Sequence, residues 1–195
     1  METKTYCAFL RGVNIGGKTM KMADACDALN SAGLAGASSV LATGNLVFQS
    51  DKPPGELRGF LEQVLSERYK DSVSLFVKNT DEVSAILSSV PFEENAGLHI
   101  YTFVCEPGFE NTLLDEFGKI TPSDGEAATI NNGLFYWQCR KGATLDSGFS
   151  KILGRKNMKG KFTSRNIGTI AKVAAKMAPC HASYSGQRIE DAQNA

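Results

Sequence analysis

The chain has 195 residues, of which 42% are apolar and 22% are charged, as is ordinary for a folded globular protein. Its five cysteines are scattered singly and it has only two histidines, which argues against a disulfide framework and a zinc site. The formal net charge is zero, but residues 1–146 carry 12 Lys and Arg against 19 Asp and Glu (−7), whereas residues 147–195 carry nine against two (+7). The basic part is predicted either to complement the acidic body of the same fold or to bind an external polyanion.

The first elements follow the order strand, helix, strand, strand, helix, strand. A strand is predicted over residues 6–11, and the spacing of Met22, Cys26 and Leu29 predicts a helix that ends before Gly33. The next elements are a hairpin of residues 39–42 and 46–49 across Thr43-Gly44-Asn45, a helix near residues 57–65 and a strand over 72–78. This order is the split βαβ arrangement of ferredoxin-like folds.

A second pass of the same order begins after residues 80–82, where apolar spacing predicts a helix that Pro91 ends. The elements that follow are a strand over 99–105, a helix over 109–117, a hairpin of 127–130 and 134–139, a helix around Phe149 and a last helix over 167–177. Here the last helix takes the place of a clear final strand.

The predicted fold class is therefore α+β, an imperfect duplication of ferredoxin-like (split βαβ) units whose antiparallel-rich sheets carry helices on one face. We expect a first unit at residues 1–79 and a second, divergent unit with an extra C-terminal helix at 80–178. Residues 179–195 are rich in small and polar residues without periodicity and predict a mobile tail.

The stretch from Leu10 to Lys18 is the least ordinary part of the sequence. Glycines and small polar residues lie between Arg11 and Lys18, so that exposed backbone N–H groups and positive charge come together and indicate an anion site. Residues 12–19 also fit the phosphate-loop pattern G-x-x-x-x-G-K-[S/T]. The helix that this loop requires at the lysine is predicted only from about Ala23, which makes nucleotide hydrolysis the least favoured function. A plain glycine turn is the ordinary alternative.

Three motifs resemble a known family. They are residues 10–18 followed by Lys21-Met22, the stretch Thr43-Gly44-Asn45-Leu46-Val47-Phe48, and Thr163-Ser164-Arg165-Asn166. In order and spacing they resemble the bacterial domain-of-unknown-function family number 1697, over about residues 4–178. The resemblance implies an α+β fold of duplicated ferredoxin-like units and no established activity.

Arg165 is predicted in the first turn of the last helix, after Thr163 or Ser164 as cap, where free N–H groups favour an anion. It is equally open to pairing with a carboxylate of the acidic body. Thr43-Gly44-Asn45 is either a turn chosen for its backbone or a second polar edge of the site. We expect a phosphate-bearing or other anionic small ligand between the two halves. The candidate ligand-binding residues are Arg11, Asn14, Gly16, Gly17, Lys18, Gly44, Asn45, Arg165 and Asn166.

A nucleic acid is the alternative partner, because the basic segment at residues 151–176 contains no carboxylate. Lys151 and Arg155 are one helical turn apart and are predicted on one face. The segment has few aromatic residues, so a solvated face is its plainer interpretation. The candidate nucleic-acid-binding residues are Lys151, Arg155, Lys156, Lys159 and Lys161.

No catalytic constellation is recognisable, since His99 and His181 have no evident Ser, Cys or carboxylate partner. The sequence therefore favours a protein that is not an enzyme and has neither cofactor nor metal. It contains no apolar run of the roughly 20 residues that span a bilayer and no signal-peptide core. We expect a cytoplasmic protein, away from membranes, that is a monomer or a weak homodimer.

Overall fold

The structure is a computed structural model that describes residues 2–15 and 18–178, with the backbone alone at residues 14, 15, 18 and 19. This part of the chain forms a mixed α+β fold with two four-stranded antiparallel sheets and six helices, which confirms the predicted fold class. The predicted mobile tail at 179–195 lies outside the described residues. No helix of the described ranges is both long and apolar enough to cross a membrane.

The first sheet uses strands from the N-terminal part of the chain and has the spatial order β4-β5-β1-β6. In chain order the elements are β1 (Lys4–Arg11), β2 (Asn14–Ile15), β3 (Lys18–Thr19), α1 (Met22–Ser31), β4 (Ala35–Ser39), β5 (Asn45–Ser50), α2 (Pro54–Tyr69), β6 (Ser74–Asn79) and α3 (Thr80–Ser88). A small antiparallel pair, β2 and β3, stands apart from this sheet.

The second sheet repeats the arrangement with the order β10-β7-β9-β8. Its elements are β7 (Leu98–Cys105), α4 (Phe109–Phe117), β8 (Ala127–Asn131), β9 (Leu134–Arg140), α5 (Gly148–Leu153), a short 3-10 helix (Lys156–Met158), β10 (Phe162–Asn166) and α6 (Ile167–Met177). Both sheets thus share the ferredoxin-like order, in which the first and third strands of each unit are central.

The predicted lack of a final strand in the second unit is wrong. Residues 162–166 form β10, which pairs antiparallel with β7 along its whole length, and α6 follows it directly. Apolar periodicity misses this strand because Thr163 and Arg165, two of its buried residues, are polar.

The first hairpin also differs from the prediction, because its first strand ends at Ser39 and residues 40–44 form the loop. Leu41 has a left-handed backbone with φ of 59°, which ends the extended chain. The Asn45 side chain then donates to Val40 O at 2.8 Å and to Thr43 Oγ1 at 3.0 Å, closing the loop from inside.

Three apolar clusters hold the layers together. One lies between the first sheet and α1 and α2, and another between the second sheet and α4 and α5. The third joins the two sheets through α3 and α6, with Phe9 and Phe76 from the first sheet and Tyr136 from the second. Because this third core belongs to both sheets, the division into units at residue 79 stays a prediction.

Candidate functional site

Arg165 is the centre of a buried polar network between the two sheets. Its side chain is only 8% exposed and lies on strand β10, so the predicted position in the first turn of the last helix is wrong. The N-cap of α6 is Asn166 instead. All five N–H donors of the guanidinium are bound, to Asn45 Oδ1 (2.6 Å), Thr163 Oγ1 (2.7 Å), Leu10 O (2.7 Å), Ser164 O (2.8 Å) and Gly44 O (3.1 Å).

These acceptors are carbonyl, amide and hydroxyl oxygens, and no carboxylate of the described residues binds Arg165. The guanidinium carbon also lies 5.7 Å from the centre of the Phe9 ring. Burial lowers the pKa of Arg165 to about 10, because a low-dielectric environment disfavours the charged form. The group is still a cation at neutral pH, held by oriented dipoles rather than by an opposite charge.

The Thr43-Gly44-Asn45 loop supplies two of these acceptors. Gly44 has φ of +78°, and a Cβ atom there would meet Val13 Cγ1 at 2.6 Å and Leu10 Cβ at 3.0 Å. Asn45 is fully buried, and its amide binds both Arg165 and the loop itself. The motif is therefore a turn whose polar atoms bind Arg165 of the same chain, and its role as a polar edge of a ligand site stays a prediction.

Arg11 makes a second connection between the two sheets. Its Nε donates to Phe162 O at 3.1 Å, so that the edge carbonyls of β10 at residues 162 and 164 are each bound by a guanidinium. The structure thus places Arg11, Gly44, Asn45 and Arg165 together, although the oxygens of the chain itself occupy Arg165.

The glycine-rich stretch does not have the geometry of a phosphate loop. Asn14 pairs with Thr19 and Ile15 with Lys18, and Met20 N–H donates to Val13 O, so the stretch is a small hairpin. Lys18 lies on a strand, whereas a phosphate loop has its lysine at a helix start. Gly16 and Gly17 lie outside the described residues, as do the side chains of Asn14 and Lys18.

Asn166 lies at the other end of β10, about 13 Å along the strand from Phe162 and Arg11. There the start of α6 opens into a cavity of about 560 Å³, which we call the α6 cavity. Its lining residues are Glu94, Asn95, Ala96, Leu98, His99, Ile100, Lys141, Asn166, Ile167 and Gly168.

Asn166 selects the tautomer of the neutral His99 ring in this cavity. Asn166 Oδ1 accepts from Gly168 N–H at 2.8 Å as the helix cap, so its Nδ2 donates to His99 Nδ1 at 3.1 Å. Since Nδ1 accepts, the neutral imidazole carries its proton on Nε2. The cavity therefore combines a lysine, an oriented histidine and the positive end of a helix dipole, with Glu94 as its carboxylate.

The basic segment lies on the surface of the second half. Its five candidate cations are all exposed, and Arg155 lies 3.2 Å from Glu116. Lys151 and Arg155 do not share one helical face as predicted, because α5 ends at Leu153 and Gly154 is its C-cap.

His99 and Lys141 were not among the predicted ligand-binding residues. His99 lies on β7 and Lys141 directly follows β9, so the two residues are far apart in the sequence and no short motif joins them. The sequence signal that points to this region is the start of the last helix, where Asn166 precedes the amphipathic residues 167–177.

The sheet orders and the shared core define a duplicated ferredoxin-like α+β protein. Residues 3–136 match the family described as "Protein of unknown function (DUF1697)", and the chain belongs to this family, which confirms the resemblance. The matched residues include the first two motifs, whereas residues 163–166 lie beyond them.

Among solved structures, the conserved bacterial protein SP0830 from Streptococcus pneumoniae is similar, with a TM-score of 0.73. The two proteins share 20% sequence identity, over 90% of this chain and 99% of that chain. At this identity the likeness concerns the fold alone. No curated protein matches the chain in sequence.

Proposed function

We propose that this protein binds a small phosphate-bearing or otherwise anionic ligand in the α6 cavity. The observation that carries the proposal is the start of α6, an 11-residue helix, which opens into the cavity beside Lys141. Apart from Gly168 N–H, which Asn166 caps, the first N–H groups of the helix have no intrahelical partner, and together with the helix dipole they favour an anion.

This location differs from the cleft expected between the two halves. Among the described residues, apolar side chains such as Phe9, Ile100 and Val173 pack between the sheets, which favours a site at the edge of this core rather than within it. Among the candidate ligand-binding residues whose side chains the structure describes, Asn166 is the one that lines the α6 cavity.

The lining also indicates the kind of anion. A cavity of about 560 Å³ is within the range of small-molecule sites. Lys141 and the helix start would hold the negative group, while Glu94 and Asn95 offer acceptors that suit hydroxyl groups. A hydroxyl-bearing phosphate monoester, such as a sugar phosphate, fits this distribution better than a ligand with several negative charges.

The test is a calorimetric titration of the full chain with sugar phosphates and with inorganic phosphate. Lys141→Ala should weaken binding at least about tenfold, because it removes a cation beside the anion. Lys176→Ala is the matched control, since this lysine is exposed in the last turn of the same helix, and it should leave affinity unchanged. Equal binding by wild type and Lys141→Ala, or no binding of any phosphate, would refute the α6 cavity as the site.

Arg11→Ala distinguishes the cavity from the hairpin end of the molecule. Binding should persist in this variant, because Phe162, which Arg11 contacts, is about 13 Å along β10 from Asn166. Loss of binding in Arg11→Ala with retention in Lys141→Ala would move the site to the glycine-rich hairpin.

A nucleic acid remains the second candidate partner, because an exposed set of cations runs from the last turn of α5 to the start of β10: Lys151, Arg155, Lys156, Lys159 and Lys161. Binding of a short RNA or DNA should then weaken steeply with salt. Reversing the charge of Lys156 and Lys159 to Glu should abolish it, and unchanged affinity would exclude this surface.

A further inference from the structure

Each four-stranded sheet has two edge strands, and three of these four edges are bound by side chains of the same chain. On β6, Leu75 N–H donates to Glu62 Oε1 at 3.1 Å. On β4, Ala37 N–H donates to Asn30 Oδ1 at 3.0 Å, and the strand has an irregular register. The carbonyls of β10 are bound by guanidinium groups, as described above. Bound or irregular edges are poor templates for another strand.

The fourth edge, β8, has a regular register and no charged residue or proline. It is joined to β9 by a two-residue turn at Asn132 and Gly133, whose φ angles of 50° and 73° are typical of a type I′ turn. In such a hairpin the residues that flank the turn form a hydrogen-bonded pair, and bonded and non-bonded pairs alternate from there. The N–H and C=O groups of Ala128 and Ile130 therefore point away from β9.

Within residues 2–15 and 18–178, these outward groups of Ala128 and Ile130 have one hydrogen bond. It is a long one, in which Thr129 Oγ1 donates to Ile130 O at 3.5 Å. The same alternation of inward and outward residues holds on β10. There the carbonyls of Phe162 and Ser164 point away from β7 and accept from Arg11 and Arg165, which supports the use of the rule on β8. The described part of the chain thus has one regular, uncharged edge with unbound main-chain groups.

We propose that β8 pairs antiparallel with β8 of a second copy of this chain. With the two-fold axis at Thr129, Ala128 of each copy faces Ile130 of the other, and four main-chain hydrogen bonds form. The edge is complementary to itself because its two outward residues are symmetric about Thr129 and carry no charge. The other edges are occupied, so this pairing closes as a dimer and joins the second sheets into one of eight strands.

Sedimentation velocity of the full chain, from micromolar to near-millimolar concentration, tests this pairing. Thr129→Lys would place two ammonium groups opposite each other at the axis and should weaken the dimer at least about tenfold. Ala128→Pro removes an outward N–H while the ladder to β9 stays intact, and should have the same effect. Ser38→Lys, at a half-buried position on edge β4, is the matched control and should leave the dimer unchanged.

Amide hydrogen exchange adds a readout at single residues, with circular dichroism to verify that each variant is folded. Raising the concentration should slow exchange at Ala128 and Ile130, whereas Thr129, whose N–H faces β9, should be protected throughout. A monomer at every concentration, or a dimer that survives both β8 variants or is lost in Ser38→Lys, would overturn the proposal. Protection of Ala128 and Ile130 by an added unrelated peptide, in a chain that stays monomeric, would replace the second copy by a peptide partner.

Discussion

Replacing Arg165 by Met should destabilise the protein by about 4 kcal/mol. Methionine keeps a long apolar side chain in the space but removes five hydrogen bonds from a charged donor, each of which contributes about 1.5–3 kcal/mol. At the lower value the five bonds contribute roughly 7.5 kcal/mol. The burial that lowers the pKa of Arg165 from its ordinary 12.5 to about 10 opposes them by roughly 3 kcal/mol.

Urea unfolding followed by circular dichroism would measure this loss, and a thermal scan should show a melting temperature lower by about 8–16 °C. The control is Arg155→Ala, which removes an exposed arginine 3.2 Å from Glu116 and should cost less than about 1 kcal/mol. Arg165→Lys keeps the charge but offers at most three donors without the planar fork, so it should recover only part of the stability.

The comparison between the two arginines decides the outcome. If Arg165→Met and Arg155→Ala were equally stable, the buried network would contribute little, and its bonds would only offset the cost of burying the charge. If Arg165→Met were more stable than wild type, the guanidinium would be retained at the expense of stability, as is known for some buried ionic groups.

Substitutions at three further positions test a close approach, a helix cap and a buried phenol. Gly44→Ala should cost at least about 2 kcal/mol more in urea unfolding than Gly160→Ala, because both glycines have φ near +79° but only at Gly44 would the new Cβ meet Val13. Asn166→Ala should cost about 1 kcal/mol through the lost helix cap, whereas Asn166→Asp should restore most of that stability. Burial raises the pKa of Tyr136 to about 12, so the folded state retains the phenol proton more tightly and stability should fall as the pH rises from about 10 to 12. In a pH series of unfolding curves, Tyr136→Phe should lack this decline.

The second hairpin and most helices could be predicted because their signals are local. The Asn131-Asn132-Gly133 turn has the residues that a type I′ turn requires, and the helix at 80–88 has its capping box in the adjacent sequence. Strand β10 has no such signal, because two of its three buried residues, Thr163 and Arg165, are polar and its partners lie far away in the sequence. Leu10 O, for example, accepts from an arginine 155 residues further along the chain.

The candidate site was predictable only in part. The family resemblance identified residues 43–48 and 163–166 as two motifs, and the structure shows that Asn45 of the first and Arg165 of the second are in contact. Their burial could not be read from the sequence, because an arginine among small polar residues is usually exposed. His99 and Lys141 line the same cavity as Asn166 because β7 pairs with both β9 and β10, and apolar periodicity does not specify this pairing.

The arginine network also sets an order for folding during synthesis. The ribosome releases β1 and the Gly44 loop long before β10, so the carbonyls that Arg165 binds stay hydrated in the nascent chain. Strand β10 is the last strand of the second sheet in chain order, so this sheet is also incomplete until then. The contacts of Arg165 that join the two halves can therefore form only after residue 165 has left the exit tunnel. A chain that stalls earlier would expose the inner face of both sheets to chaperones and proteases.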